Sequence, residues 1–167
     1  ADETIHRWKD GGPVASGALV HDENGRATLT MGGLAAGAYA LHYETDDAYG
    51  QTFKVRQTFV VTGSKTPLAV PLSFKVDGTA FEVGESARIF IHSGFTDQPL
   101  YFSRWRGGKL VSHALVSGSD ILREIPILEA DRGGFVLRVS FLRDHQWVSI
   151  DRHIHVDWDN KKLEVGI

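Results

Sequence analysis

The chain has 167 residues, 42% of them apolar, which suits one or two packed globular domains. Its net charge is −3 with acidic and basic residues interspersed, so it lacks the basic surface that nucleic-acid binding requires. It has no cysteine, which excludes disulfides, thiolate metal sites, cysteine nucleophiles and cysteine-derived thioesters. No apolar stretch reaches the roughly 18 to 20 residues that span a bilayer, so no direct membrane insertion is expected.

The first part of the chain alternates apolar and polar residues in short runs, a pattern that predicts β-strands. The segment Asp22-Glu23-Asn24-Gly25 predicts a turn, because Asn-Gly is the strongest short hairpin signal. The polar segment 62–67 that follows predicts a short interdomain linker. The predicted strands lie near residues 5–9, 18–21, 26–31, 38–45 and 52–61.

The second part of the chain predicts seven strands, the number expected of a β-sandwich. Gly107-Gly108 predicts a two-residue hairpin turn, because glycine takes positive φ at no steric cost. No window supports a helix beyond one turn within 127–132. The alternating residues Phe135, Leu137, Val139 and Phe141 should face one core. The predicted strands are 68–77, 86–92, 100–106, 109–116, 121–127, 135–142 and 146–157.

A repeat links the two parts of the chain. Gly37, Tyr39, Leu41 and Tyr43 are matched by Gly133, Phe135, Leu137 and Val139, an offset of 96 residues (133 − 37). The second copy follows a full set of strands and the first follows about half a set, which predicts a tandem array of antiparallel β-sandwiches with the first one incomplete. The predicted domains are the C-terminal part of one sandwich at 1–63, a seven-stranded sandwich at 64–160 and the start of a following domain at 161–167. By the same offset, roughly thirty residues of the first sandwich would precede Ala1.

Several motifs resemble those of macroglobulin domains in bacterial alpha-2-macroglobulins. The segment Phe81-Glu82-Val83-Gly84-Glu85-Ser86-Ala87-Arg88-Ile89 is similar to the opening of such a domain, and Trp105-Arg106-Gly107-Gly108-Lys109-Leu110-Val111 is similar to one of its hairpins. Upstream, Leu34 to Tyr39 and Thr45 to Gly50 resemble signatures near a domain's end. The segment from Val156 to Val165 resembles the junction between two such domains.

The resemblance implies immunoglobulin/fibronectin III-like sandwiches within a large inhibitor that traps proteases in the periplasm or cell envelope, or outside the cell. The chain has no Cys-Gln thioester motif and no long bait loop, so no catalytic, bait or cofactor-binding residue is carried over. What the resemblance implies for this chain is a structural role without enzyme activity. Its expected partners are the neighbouring macroglobulin domains and, through the whole protein, the target protease.

One strand carries residues able to bind a metal. Period-two alternation places Asp151, His153, His155 and Asp157 on one face, and imidazole and carboxylate are both zinc ligands. Residues two apart on a strand are separated by roughly 6.5 to 7 Å, however, so they converge poorly on one ion. A solvated outer face is the favoured interpretation. A metal-dependent or hydrolytic accessory domain is a third hypothesis, which depends on His153 and His155.

Aromatic residues give a second functional hypothesis, a cell-surface adhesin or glycan-binding module. Tyr101, Ser103 and Trp105 share one strand face, and with Trp147 they could form a carbohydrate platform. Core packing is the favoured interpretation, because sandwiches commonly bury a tryptophan on a central strand. Two further segments predict turns rather than catalytic groups, namely Ser117-Gly118-Ser119-Asp120 and Asp144-His145.

Overall fold

The computed structural model of the protein describes residues 2–95, 97–117 and 120–158. The chain forms two compact units, residues 2–66 and the chain from Pro67 onward, called here the first and second units. The first unit contains α1 (Asp2–His6), β1 (Gly37–Asp46) and β2 (Thr52–Val61). The second unit contains β3 (Ser73–Val76), β4 (Ala80–Phe81), β5 (Ser86–His92), β6 (Leu100–Arg106), β7 (Lys109–Val116), β8 (Ile121–Pro126), a 3-10 turn (Glu129–Asp131), β9 (Phe135–Arg143) and β10 (Gln146–Val156).

The second unit is an all-β sandwich of two sheets. One sheet has the strand order β3-β5-β8 and the other has the order β4-β10-β9-β6-β7. Neighbouring strands are antiparallel, except that the short β4 runs parallel to the end of β10. This is the antiparallel β-sandwich predicted from the strand count.

Alternate residues of the facing strands fill the core between the two sheets. Phe135, Leu137, Val139 and Phe141 of β9 are all buried there, as their period-two spacing predicts. The opposite sheet contributes side chains such as Phe74, Ile89 and Ile91. Each fully buried side chain of this size stabilises the fold by roughly 1.5 to 3 kcal/mol relative to an exposed one.

All seven strands predicted in the second unit are present, with small differences at their ends. The first is shorter than predicted, because Pro71 has no backbone N–H to donate to a ladder and the strand begins only at Ser73. The two-residue β4 was not predicted, since it is too short to show alternation. The single turn predicted within 127–132 is confirmed as the 3-10 turn at Glu129–Asp131.

The first unit contains one hairpin, in which β1 pairs with β2 from Gly37↔Val61 to Asp46↔Thr52. These two strands confirm the predictions at 38–45 and 52–61. The strands predicted near 5–9, 18–21 and 26–31 are wrong: α1 occupies 2–6, and no strand lies in 7–36. The turn at Asp22 to Gly25 forms, with the Gly25 amide donating to the Asp22 carbonyl at 2.9 Å, but no strands flank it. A strand needs a hydrogen-bonded neighbour, and residues 7–36 pair with neither β1 nor β2, which explains the difference.

Polar contacts connect the parts of the first unit, in which Ile5 and Thr66 are the fully buried side chains among those described. Arg56 donates to the His6 carbonyl at 3.0 Å and to a carboxylate oxygen of Asp10 at 2.7 Å. The hydrogen bond from Arg56 lowers the pKa of Asp10 below its usual value. On another strand, the Tyr43 hydroxyl lies 2.7 Å from His21 Nε2. Between residues 7 and 65 no side chain is fully buried.

Candidate functional site

The candidate site is the outer face of the five-stranded sheet, defined by the side chains of β6, β7, β9 and β10 that point away from the core. Directly paired residues of neighbouring antiparallel strands lie on the same face. One such row runs from Asp151 through Arg138 to Ser103, and the next runs from His153 through Val136 to Trp105. Strand pairing therefore brings together residues that are almost 50 positions apart in sequence.

The structure confirms that Tyr101, Ser103 and Trp105 share one strand face, but the prediction that the aromatic residues pack in the core is wrong. Tyr101 and Trp105 are half-buried on the outer face, because Leu100 and Phe102 take the inward positions of β6. Trp147 lies on the outer face as well, with 62% of its surface exposed. The ring of Tyr101 stacks on that of His113, with 5.5 Å between the ring centroids.

An ion pair fixes the centre of the outer face. Two nitrogens of Arg138 donate to the two carboxylate oxygens of Asp151, both at 2.7 Å. This bidentate hydrogen bonding lowers the pKa of Asp151 and raises the pKa of Arg138. The Arg138 guanidinium also lies over the Trp105 ring at 5.8 Å from its centroid. The Trp105 indole N–H donates to Ser103 Oγ at 3.0 Å, so Ser103 and Arg138 both contact the indole from the neighbouring row.

A shallow cleft of about 550 Å³ opens beside Trp105. Its polar lining comes from Arg138, Asp151, His153 and His155, and two glycine pairs at 107–108 and 133–134 complete it. All four glycines have positive φ, a backbone conformation that glycine adopts without steric cost. The cleft thus combines an aromatic surface with hydrogen-bond donors and one carboxylate, a composition suited to binding rather than to bond making.

The four metal-ligand candidates do not converge. Asp151 is held by Arg138, and His155 Nε2 lies 2.8 Å from Asp157 Oδ1 beyond the end of the strand. His153 is exposed in the row next to Asp151. Within residues 2–95, 97–117 and 120–158, no group of three or more His, Cys, Asp or Glu side chains could hold a metal ion.

Sequence reasoning missed the buried pair of His92 and Asp120. The His92 Nδ1 lies 2.9 Å from a carboxylate oxygen of Asp120, and the two side chains are only 4% and 6% exposed. The Nε2–H donates to the Leu68 carbonyl at 2.8 Å. With both nitrogens engaged and no access from solvent, this pair is structural. The two residues are 28 positions apart, and no local sequence pattern predicts a contact over that separation.

The other predicted turns have different outcomes. Asp144-His145 is confirmed as the turn between β9 and β10, with φ values of 49° and 63°. Of the segment predicted as a turn at 117–120, Gly118 and Ser119 lie outside the described residues. The predicted start of a following domain at 161–167 also lies outside them.

Comparison with known proteins gives little. No protein-family model matches the chain, and no curated protein matches it. A crystal structure of an engineered protein is similar over 56% of this chain and 22% of its own, with 11% identity and a TM-score of 0.38, too low to support an argument. Among the described residues, no helix is long and apolar enough to cross a membrane.

Proposed function

We propose that this chain is a structural segment of a bacterial alpha-2-macroglobulin-like protease inhibitor, and that it catalyses no reaction. The observation that supports this role best is the path of the chain through the second unit. Three residues separate β3 from β4, and β4 lies beside the final residues of β10 through the pair His155↔Ala80. The segment that leads into β3 lies at the opposite end of the sandwich. There the Gly94 amide donates to the Val70 carbonyl at 2.9 Å. The chain therefore enters the sandwich at one end and leaves at the other.

Such a path suits a domain in the middle of a linear array, because each sandwich can pass the chain directly to the next. In a protease trap, cleavage of a bait segment elsewhere would release a rearrangement, and rigid domains with short connections would transmit it. The partners in this role are the neighbouring domains of the same polypeptide and, through the whole assembly, the trapped protease. The corresponding location is the bacterial periplasm or cell envelope.

A chimera tests this proposal. The chain would replace the corresponding domains of a bacterial alpha-2-macroglobulin that traps trypsin. Trapping would be measured as trypsin that still cleaves a small chromogenic peptide but no longer cleaves casein. We expect the chimera to trap trypsin, and a control chimera carrying an unrelated fibronectin III pair of similar length to fail. A folded chimera that traps no better than this control would contradict the proposal.

A second candidate function is glycan binding at the cleft beside Trp105. The observation that favours it is the outward position of the half-buried Tyr101 and Trp105, since a glycan-binding module needs aromatic side chains on its outer face. The fixed indole and the Arg138–Asp151 pair supply a flat apolar surface with charged hydrogen-bonding groups at its edge.

Binding would be measured by NMR titration of the tryptophan indole N–H signals with a panel of oligosaccharides. We expect the indole N–H signal of Trp105 and the side-chain Nε–H signal of Arg138 to shift. In the variant Trp105→Ala, we expect the shift of the Arg138 signal to be lost. Trp147→Ala is the matched control, because Trp147 lies on the same face but outside the cleft. Equal effects of the two variants, or no shift at millimolar oligosaccharide, would exclude this function.

A further inference from the structure

The hairpin of the first unit corresponds in register to the last hairpin of the second unit. Leu41 pairs with Gln57 in the first, and Leu137 pairs with Arg152 in the second. The offset is 96 residues between β1 and β9 (137 − 41) and 95 between β2 and β10 (152 − 57). The repeat in the sequence of β1 and β9 therefore has a structural counterpart, because both strands of the two hairpins correspond in their pairing.

This correspondence identifies one face of the hairpin as a core face. In β9 the residues Phe135, Leu137 and Val139 are 4%, 0% and 0% exposed. Their counterparts in β1 are Tyr39, Leu41 and Tyr43, and all three are only half-buried.

The same contrast holds for the second strand of each hairpin. Ile154 in β10 is 3% exposed, whereas its counterpart Phe59 in β2 is half-buried. Phe53 and Val55, the counterparts of the half-buried Val148 and Ile150, are 70% and 44% exposed. We call the six residues Tyr39, Leu41, Tyr43, Phe53, Val55 and Phe59 the apolar hairpin face.

The second unit shows what covers such a face. There the sheet of β3, β5 and β8 covers the face. Phe74 and Ile89 of that sheet are fully buried in the same core as the β9 side chains. By the offset of 96, the counterpart of β8 is 25–30, where the first unit has no strand. In the described residues of the first unit the sheet consists of β1 and β2 alone, so no second sheet faces the hairpin there.

We propose that the apolar hairpin face is a docking surface for an extended, two-stranded partner segment with large apolar residues at alternate positions, of the type formed by β3 and β5. Such a segment packs as a second sheet about 10 Å away, with its alternate side chains directed at the hairpin. It also offers an edge to residues 25–30, which gain a strand neighbour that they lack in this structure. This inference rests on the repeat and on the incomplete burial of the apolar hairpin face, and does not depend on the proposed role in protease trapping.

The test uses the full chain and a synthetic peptide of residues 71–93, the β3–β5 segment that covers the matching face in the second unit. Binding would be followed by the backbone amide signals of the ¹⁵N-labelled chain during titration with the unlabelled peptide. We expect shifts in β1 and β2, and slower amide exchange across 25–30. A peptide with Phe74, Ile89 and Ile91 replaced by serine is the matched control, and we expect it to bind at least about tenfold more weakly.

Two variants of the chain localise the interaction. Leu41→Ser removes an apolar group from the docking face, whereas Ala40→Ser places the same hydroxyl on the opposite face of the same strand. We expect about tenfold weaker binding for the first variant and unchanged binding for the second. Shifts confined to the second unit, equal affinity of the two peptides, or equal effects of the two variants would overturn the proposal.

Discussion

At the scale of single residues, the most consequential contact is made by a buried carboxylate. Asp131 is 2% exposed, and its carboxylate accepts a hydrogen bond from the Leu128 amide at 2.8 Å. It also forms ion pairs with Arg104 and Arg106. The Arg104 guanidinium lies 4.0 Å from the centroid of the Phe135 ring, so this charge sits against the core. The carboxylate thus fixes the 3-10 turn and neutralises a cation that is only 14% exposed.

We expect Asp131→Ala to lower the free energy of unfolding by about 3 to 5 kcal/mol, because it leaves the Arg104 charge without its counter-ion. Urea denaturation followed by tryptophan fluorescence would measure the change. Asp97→Ala is the control, since Asp97 pairs with Arg143 but its side chain is 80% exposed, and its loss should cost less than about 1 kcal/mol. Similar costs for the two variants would contradict this assignment.

The Arg138–Asp151 pair predicts a pH dependence. The hydrogen bonds from Arg138 lower the pKa of Asp151 below its ordinary value of 3.8 in the folded state. Their contribution to stability is therefore fully present above about pH 4 and is lost as the pH falls through the lower folded pKa. We expect Asp151→Asn to cost up to about 1 kcal/mol at pH 7, because the pair is partly exposed.

As the pH falls below about 4, the difference between Asp151→Asn and the unmodified chain should shrink. Urea denaturation at pH 7 and at pH 2 would measure it. A difference in the free energy of unfolding that stays constant between the two pH values would show that the charge of Asp151 does not stabilise the fold.

Individual residues also show the limits of sequence-based prediction. Alternation placed Phe135, Leu137 and Val139 correctly in the core, because their strand is buried on one face only. The same rule places Tyr101 and Trp105 on one face of their strand, but it does not determine whether that face points into the core. The general preference for a buried tryptophan predicted the core, and that prediction was wrong. The pairs Arg138–Asp151 and His92–Asp120 depend on strand pairing and loop closure, which no local pattern encodes.

At the scale of elements, the start of β9 depends on a glycine. Gly134 has φ +92°, and a Cβ there would collide with the carbonyl oxygen of Ile154 on β10. The missing side chain lets the two central strands approach each other at their ends, and the adjoining Gly133 amide donates to the Val156 carbonyl at 2.9 Å.

We expect Gly134→Asn to lower the free energy of unfolding by at least about 2 kcal/mol, because backbone atoms of β10 cannot move aside cheaply. Gly107→Asn is the matched control, since Gly107 has φ +54° with open space around it and asparagine tolerates that conformation. We expect the control to change stability by less than about 1 kcal/mol, as measured by urea denaturation. If Gly107→Asn proves as costly as Gly134→Asn, steric contact with β10 is not the cause.

Elements with partners were predictable, and elements without them were not. The strands of the second unit follow their alternation because each finds a neighbour in one of two facing sheets. Residues 25–30 of the first unit correspond to β8 but form no strand, because β8 pairs with β5 and the described residues of the first unit offer no strand in the place of β5. Local pattern therefore identified candidate strands, and the availability of a partner strand decided which of them form.

At the scale of the whole molecule, the two units differ in how they are stabilised. The second unit has a closed core between two sheets, whereas the first has a single hairpin with half-buried and exposed apolar side chains. Burial of apolar surface is the main source of folding free energy, so the two hairpins should differ widely in local stability in spite of their matching register. This difference underlies both the scaffold role that we propose for the second unit and the docking role that we propose for the first.

Native-state hydrogen exchange of the full chain tests this claim most directly, because the matched hairpins provide an internal comparison. We predict that the amides of β9 from Leu137 to Phe141 exchange only through global unfolding of the second unit. Their counterparts in β1, Leu41 to Thr45, should exchange at least about 100-fold faster once intrinsic rates are corrected for. Equal protection of the two strands would contradict the account, because it would mean that the apolar hairpin face is already covered.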